Sequence, residues 1–218
     1  MKKTLLISIL LFICALVSRA QENTPYGIPA EVYYLMPSFG DGMVYFRGQP
    51  PAQGKLNICA LDNSLRFLDK SGKELQASDT DNIVLVQIDT VTFILYDGIF
   101  LRMHPLDGNM GVAVRRLVRV RKDTKEVGFG SKSQTSAVKE YSSVYADGVL
   151  YSLEEGKTYP YDVSEELYLY KGDTVLPLSK RNLKKQFPEK KDTIEAYFKA
   201  GNRLPDTLDA LTALLSSW

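Results

Sequence analysis

The sequence predicts an α+β protein dominated by β structure: an antiparallel, hairpin-rich sheet with short C-terminal helices packed on it. Three observations predict this class. Short β-rich runs separated by Gly, Pro, Asp and Asn clusters fill the chain from about Val32 to Leu178, with no helical period. Two-residue turn signals such as Asp97-Gly98 join neighbouring runs. After Ser179 the pattern changes to apolar residues three and four apart. Connections this short exclude the crossovers that parallel strands need, so the sheet is antiparallel. A bent sheet, a sandwich and an open barrel all satisfy the pattern.

Residues 1–20 read as an export signal. Lys2 and Lys3 precede an apolar run that ends in Ser18-Arg19-Ala20, the small-x-small order of a cleavage site before Gln21. The apolar stretch from Thr4 to Val17 is about 14 residues, short of the roughly 20 needed to span a bilayer. No transmembrane segment is therefore expected once the signal is removed. Leu11-Phe12-Ile13-Cys14 resembles a lipidation box, but bulky Ile13 stands where such a box has a small residue. The expected organisation is a signal peptide at 1–20, an antiparallel β domain at 21–178, and a helical segment at 179–218 packed on it.

Within the β domain the runs follow one another closely. Met43 to Arg47, Lys55 to Leu61 and Ser64 to Asp69 come first, and Ser71-Gly72 then turns the chain toward Leu75. Ile83 to Ile88 and Val91 to Tyr96 follow, and Asp97-Gly98 leads into Ile99 to Met103. Asp147-Gly148 repeats the device before Val149, and Lys171-Gly172-Asp173 does so after Leu167 to Tyr170. Both faces of Ile83 to Val86 are apolar, which predicts a region of sheet covered on both sides.

The last forty residues predict three short helices. Leu183 and Phe187 mark the first, and Pro188 suits the first turn of a second that carries Ile194, Tyr197 and Phe198. Gly201-Asn202 ends it, Asp206 is expected to cap the third, and Leu208, Leu211 and Leu215 share a face. Their stripes must pack on the sheet, where they are expected to cover an edge. Lys184, Lys185, Lys190 and Lys191 form the expected solvated face.

Composition limits the chemistry. The 218 residues are 44% hydrophobic and 24% charged, enough for a real core. Lys and Arg number 27 against 26 Asp and Glu, and signal removal takes away three of the basic residues. That balance argues against nucleic acid as a partner. Removal of Cys14 leaves Cys59 alone in an apolar run, so no internal disulfide is expected and a buried inert thiol is. There is no zinc spacing and no phosphate-cradling glycine loop, and no cofactor is implied. Asp79-Thr80-Asp81-Asn82 lacks the glycine and distal glutamate of a calcium loop, so no metal residue is named.

No catalytic constellation stands out. His104 is the only histidine and has no nucleophile at a recognisable spacing. The stretch Phe129 to Ser136 is rich in hydroxyls but lacks a nucleophile elbow. Ser131 with Lys132, or Ser136 with Lys139, is the nearest approach to a Ser-Lys pair. A polar loop is the simpler reading.

Two surface features remain as ligand-binding candidates. Between Val112 and Arg121 the even positions are Val except Arg116, while Arg115, Arg119 and Arg121 share the opposite face with Leu117. Same-face neighbours on a strand lie about 6.7 Å apart, so this stripe can meet an anion unless cross-strand Asp and Glu neutralise it. Seven of the thirteen tyrosines fall between Tyr141 and Tyr170. Tyr145 and Tyr151 among them are candidates for stacking on a sugar or anchoring an interface, although tyrosine is also a good strand residue.

Several short motifs carry a family resemblance: Ser18-Arg19-Ala20 before Gln21, Leu56-Asn57, and Phe67-Leu68-Asp69 followed by Lys70-Ser71-Gly72. Ile88 to Phe93, Gly128-Phe129-Gly130 through Ser143, and Phe187-Pro188-Glu189-Lys190-Lys191 continue it. On these the chain resembles the small, exported, uncharacterised proteins common in Bacteroidetes-type bacteria. The resemblance implies a cell-envelope setting, in the periplasm or at the cell surface, and brings no activity or catalytic residue. Three functions compete. The first is a non-catalytic module that binds an envelope protein or glycan through its sheet or the loop 130–143. The second is a hydrolase built on Ser131, Ser133 or Ser136 with a lysine, or on His104. The third is recognition of an anionic envelope polymer by the arginine stripe.

Overall fold

A computed structural model describes residue 24 and residues 26–78, 80–120 and 158–218. A one-turn helix, α1 (Ala30–Tyr33), opens the described chain, where the sequence pattern suggested only strands. Ten strands follow, beginning with β1 (Gly40–Phe46), β2 (Gln49–Cys59), β3 (Ser64–Leu68), β4 (Glu74–Gln76) and β5 (Ile83–Ile88). The rest are β6 (Val91–Tyr96), β7 (Ile99–Asp107), β8 (Met110–Val120), β9 (Tyr161–Lys171) and β10 (Thr174–Pro177). All join one antiparallel sheet in the order β10-β9-β8-β7-β6-β5-β1-β2-β3-β4. The chain leaves β1 on one side through β2, β3 and β4 and returns on its other side as β5; every other described neighbour is sequential.

The turns behave as their residues demand. Asp97 and Gly98 both adopt positive φ, 51° and 73°, between the paired ends Tyr96 and Ile99. That is the two-residue turn whose hand matches the twist of the strands. In the β9–β10 hairpin Gly172 alone, at φ 56°, takes positive φ.

Of the three architectures compatible with the sequence, the sheet takes the bent, open one. The end of β2 and the turn after it (Cys59 to Leu61) pack in one cluster with Val118 and Val120 at the end of β8, although four strands lie between β2 and β8 in the sheet. The β2–β3 turn also reaches the β6–β7 turn. Asn63 donates from Nδ2 to the Gly98 carbonyl at 2.8 Å, and its Oδ1 accepts from the Phe100 N–H at 3.0 Å. The sheet has therefore curled, while its outer strands β4 and β10 stay unpaired with each other, so no barrel closes.

Coverage on both faces occurs in the sheet, but not where the sequence suggested. In β5, Ile83 and Val86 are buried whereas Val84 is 46% exposed. The register with β1 steps from Tyr45–Leu85 to Phe46–Ile83, so Val84 is the extra residue of a bulge and turns to solvent. Double coverage is found in β7, β8 and β9: neighbours Phe100 and Leu101 are buried on opposite faces, as are Val112 and Ala113, and Leu169 and Tyr170.

The C-terminal helices are α2 (Lys180–Gln186), a 3₁₀ turn (Pro188–Lys190), α3 (Lys191–Lys199) and α4 (Leu208–Ser216). Ser179 caps α2, its hydroxyl accepting from the Asn182 N–H at 3.1 Å. Thr207, not Asp206, caps α4, because its hydroxyl stands three residues before the Ala210 N–H and accepts from it at 3.3 Å. Leu183, Ile194 and Leu211 are fully buried against Val112, Val114, Leu167 and Leu169. The helices thus cover a face of β8 and β9 rather than an edge. The lysine face is only partly free: Lys184 donates to Glu195 at 2.6 Å and Lys190 to the Trp218 carbonyl, while Lys185 and Lys191 are exposed. No described helix is long and apolar enough to cross a membrane.

Candidate functional site

Two different covers meet on the inner face of the curled sheet. The helices lie over Val112 and Val114 of β8, whereas α1 and the end of β2 lie over Val118 and Val120. Arg116 falls between these pairs on the same strand face, at the seam. This explains the one polar residue in an otherwise apolar series: it stands half-buried at the junction of the two covers. A pocket of about 130 Å³ opens there, with Leu35 on one wall and Leu208 of α4 on the other. Its floor includes Phe93 and Val114, and its polar lining is Arg102, His104, Arg116 and Glu165.

Strand geometry brings these four together. Arg102 and His104 alternate along β7 and so share a face; they lie opposite Val114 and Val112 of β8. Arg116 lies directly opposite Glu165 of β9. Direct pairs place Cβ atoms about 4.5–5.5 Å apart and diagonal ones about 7–8 Å. Arg102 is diagonal to Arg116 across the Val114 position, so the two guanidinium groups can address one point. Arg116 donates from Nη1 to the Glu31 carbonyl at 3.2 Å, which anchors the side chain and leaves further N–H groups free to donate. The side chains of Arg102, His104 and Glu165 make no hydrogen bond or ion pair among the described residues.

Burial holds His104 below the usual histidine range, the positive charge of Arg102 adds to this, and Glu165 opposes it. The imidazole is therefore neutral at pH 7, and the two arginines and one glutamate give the lining a net charge of +1. Such a set can bind an anion through planar N–H pairs and exchange hydrogen bonds with hydroxyl groups. None of the described lining residues is Ser, Thr, Cys, Lys or Tyr. A shallower depression of about 440 Å³ shares Glu165 and runs past Glu166 to Leu204, Pro205 and Asp206.

The residues singled out in the sequence are placed differently. Arg115 and Arg119 lie on the other face of β8, as the alternation required. Arg115 is ion-paired to Glu166 at 3.1 Å, and Arg119 stands opposite Asp162. Arg121, Tyr145 and Tyr151 lie outside the described residues, as do the loop 130–143 with Ser131, Ser133 and Ser136, the Asp147-Gly148 turn, Asp79 and the signal at 1–20. Tyr168 and Tyr170 are 7% and 5% exposed, so they fill the sheet's outer cluster with Leu101 and Ala113 instead of presenting their rings.

Cys59 is fully buried, and burial pushes its thiol up to about 12, with the nearby Asp62 adding to the effect. It is no nucleophile at neutral pH. Its surroundings are structural: Asp62 pairs with Arg66, which lies 3.8 Å from Glu74, and the Tyr34 hydroxyl donates to Glu74 at 2.5 Å. No cluster of three His, Cys, Asp or Glu suited to a metal ion occurs among the described residues.

Sequence reasoning named His104 but not Arg102 or Glu165. A signal for Arg102 was present, in its two-residue spacing from His104. Glu165 was hidden because its partner across the sheet lies 49 positions earlier, at Arg116. No family model, curated protein or solved structure matches the chain.

Proposed function

We propose that this protein is exported to the cell envelope and works there as a non-catalytic module that binds an envelope glycan or protein. The observation that carries the reading is the seam pocket. It is open, and among the described residues its lining has side chains with unused hydrogen-bonding capacity and no hydroxyl, thiol or amine nucleophile. Lys2-Lys3, the apolar run and Ser18-Arg19-Ala20 support export. Capture of an envelope component by the mature chain from extract, with a glycan array alongside, tests the binding role. The binding reading predicts specific retention of a component, and empty capture together with an empty array overturns it. Intact mass tests export: the native protein begins at Gln21 without lipid, and a diacylated species beginning at Cys14 refutes this.

A hydrolase is the second reading, favoured by one observation: His104 and Glu165, two groups able to carry protons, line the same pocket. Ester, peptide and glycoside panels run on the mature chain and on His104→Gln separate the two. Turnover that disappears in the variant establishes the hydrolase and removes the binding-only reading.

A further inference from the structure

We infer that the seam pocket binds the carboxylate of a single uronic acid residue in an otherwise neutral glycan. This deepens the binding-module reading and rests on it. Two arginines on neighbouring strands, converging diagonally, supply the planar N–H pairs that fit a carboxylate.

Charge then selects among anions. With His104 neutral, the lining carries +1, which a carboxylate balances. A phosphate monoester brings close to two negative charges and meets Glu165 as well. Hydroxyl chemistry selects among carboxylates. Glu165 accepts from hydroxyl groups and the neutral His104 ring both donates and accepts, so a carboxylate with hydroxyls on the same ring uses the whole lining. A peptide carboxylate leaves these two groups unmatched. The apolar C–H face of the ring has Leu35 and Leu208 to pack on.

Size and surroundings restrict the ligand further. At about 130 Å³ the pocket is well below the roughly 300–1,000 Å³ of sites for drug-sized ligands, so it takes one ring. Any continuation along the adjoining depression passes Asp206, which repels further carboxylates and admits neutral sugars, while Glu166 there is already paired with Arg115.

His104 is the only histidine, so its ring gives one NMR signal that reports on the site. The mature chain is titrated with glucuronate, glucose, an acetylated dipeptide with a free C-terminal carboxylate, and inorganic phosphate. Glucuronate is expected to shift the His104 signal and raise its titration midpoint, and the other three to bind at least tenfold more weakly. Arg102→Gln and Arg116→Gln each weaken glucuronate at least tenfold, while exposed Lys73→Gln does not. Melting curves establish that the variants are folded, and Glu165→Ala, which removes a hydroxyl acceptor, reduces the preference for glucuronate over acetate. An unmoved His104 signal, or equal response to glucose, phosphate or the dipeptide, overturns the assignment. A neutral glycan retained on the array with Arg116 dispensable defeats this inference but leaves the binding module standing. An empty array and empty capture defeat the module itself.

Discussion

Asn57 and Met36 form a two-way amide pair in the core. The Asn57 Nδ2 donates to the Met36 carbonyl and its Oδ1 accepts from the Met36 N–H, both at 3.1 Å. The same Oδ1 accepts from the Ile58 N–H at 2.8 Å. Asn57 is fully buried. Its side chain thus acts as a piece of strand, satisfying backbone groups where the segment after α1 runs beside β2 before β1 begins. Next to this contact, Leu35 donates to the Ile58 carbonyl and Tyr34 bridges to Cys59.

Asn57→Ala should therefore be costly. It leaves the Met36 N–H and C=O without the side-chain partner while removing little apolar surface. Buried groups deprived of partners cost roughly 1–3 kcal/mol. Urea denaturation should show a fall of about that size with an unchanged slope. A loss below about 0.5 kcal/mol would show that these backbone groups find other partners.

The helical layer offers a second test. Leu183, Ile194 and Leu211 are fully buried on β8 and β9. Leu211→Ala should cost roughly 2–5 kcal/mol, and truncation after Leu178 should yield aggregated or poorly folded protein, because the helices cover a face and not a free edge. A truncated chain that stays soluble and melts cooperatively at the full-length temperature would make the helices a separate appendage.

These contacts also show which parts of the fold the sequence could reveal. Asp97-Gly98 and Gly172 were legible because a two-residue turn with positive φ restricts residue type locally. Leu183, Ile194 and Leu211 were legible through helical spacing. The curl of the sheet was not, because it depends on Cys59 to Leu61 meeting Val118 and Val120 across four strands. No local pattern encodes such a contact. The seam pocket inherits that difficulty: Arg116 was visible as an exception among valines, but its meaning depends on two covers that stop on either side of it. Val84 failed for another reason, since a bulge breaks the period of two on which the reading relied.

Cys59 supplies a chemical probe of the same interior. With the thiol buried and its pKa near 12, the thiolate is scarce at pH 8 and reagent cannot reach it. A folded chain prepared from Gln21 onward, in which Cys59 is the one cysteine, should resist an aromatic disulfide reagent and then react with one equivalent of it on addition of denaturant. Reaction within seconds in the native state would mean that the junction of α1 and the end of β2 opens readily.

Acid should weaken the fold in a window set by His104. Arg102 on its own strand, Arg116 on β8 and Glu165 on β9 are the charged groups lining its pocket, and α4 contributes only Leu208 there. Burial, then Arg102, lowers the folded pKa below the ordinary value near 6.5, against a smaller opposing effect of Glu165. Below pH 6.5 the unfolded chain takes up this proton before the folded chain does. The unfolded state then binds more protons, so stability falls as pH falls from about 6.5 through the folded pKa, and above pH 6.5 the group contributes nothing. Carboxylates held low in the fold, Asp69 by its hydrogen bonds from Ser71 and Lys73 and Glu195 by Lys184 and Lys180, act only in more acid solution. His104→Gln removes the upper window and leaves the lower one. Melting temperatures of the two proteins, measured from pH 8 to pH 5, should converge or cross toward acid as the parent alone loses stability. A constant difference across that range would mean that folding leaves the affinity of His104 for its proton unchanged.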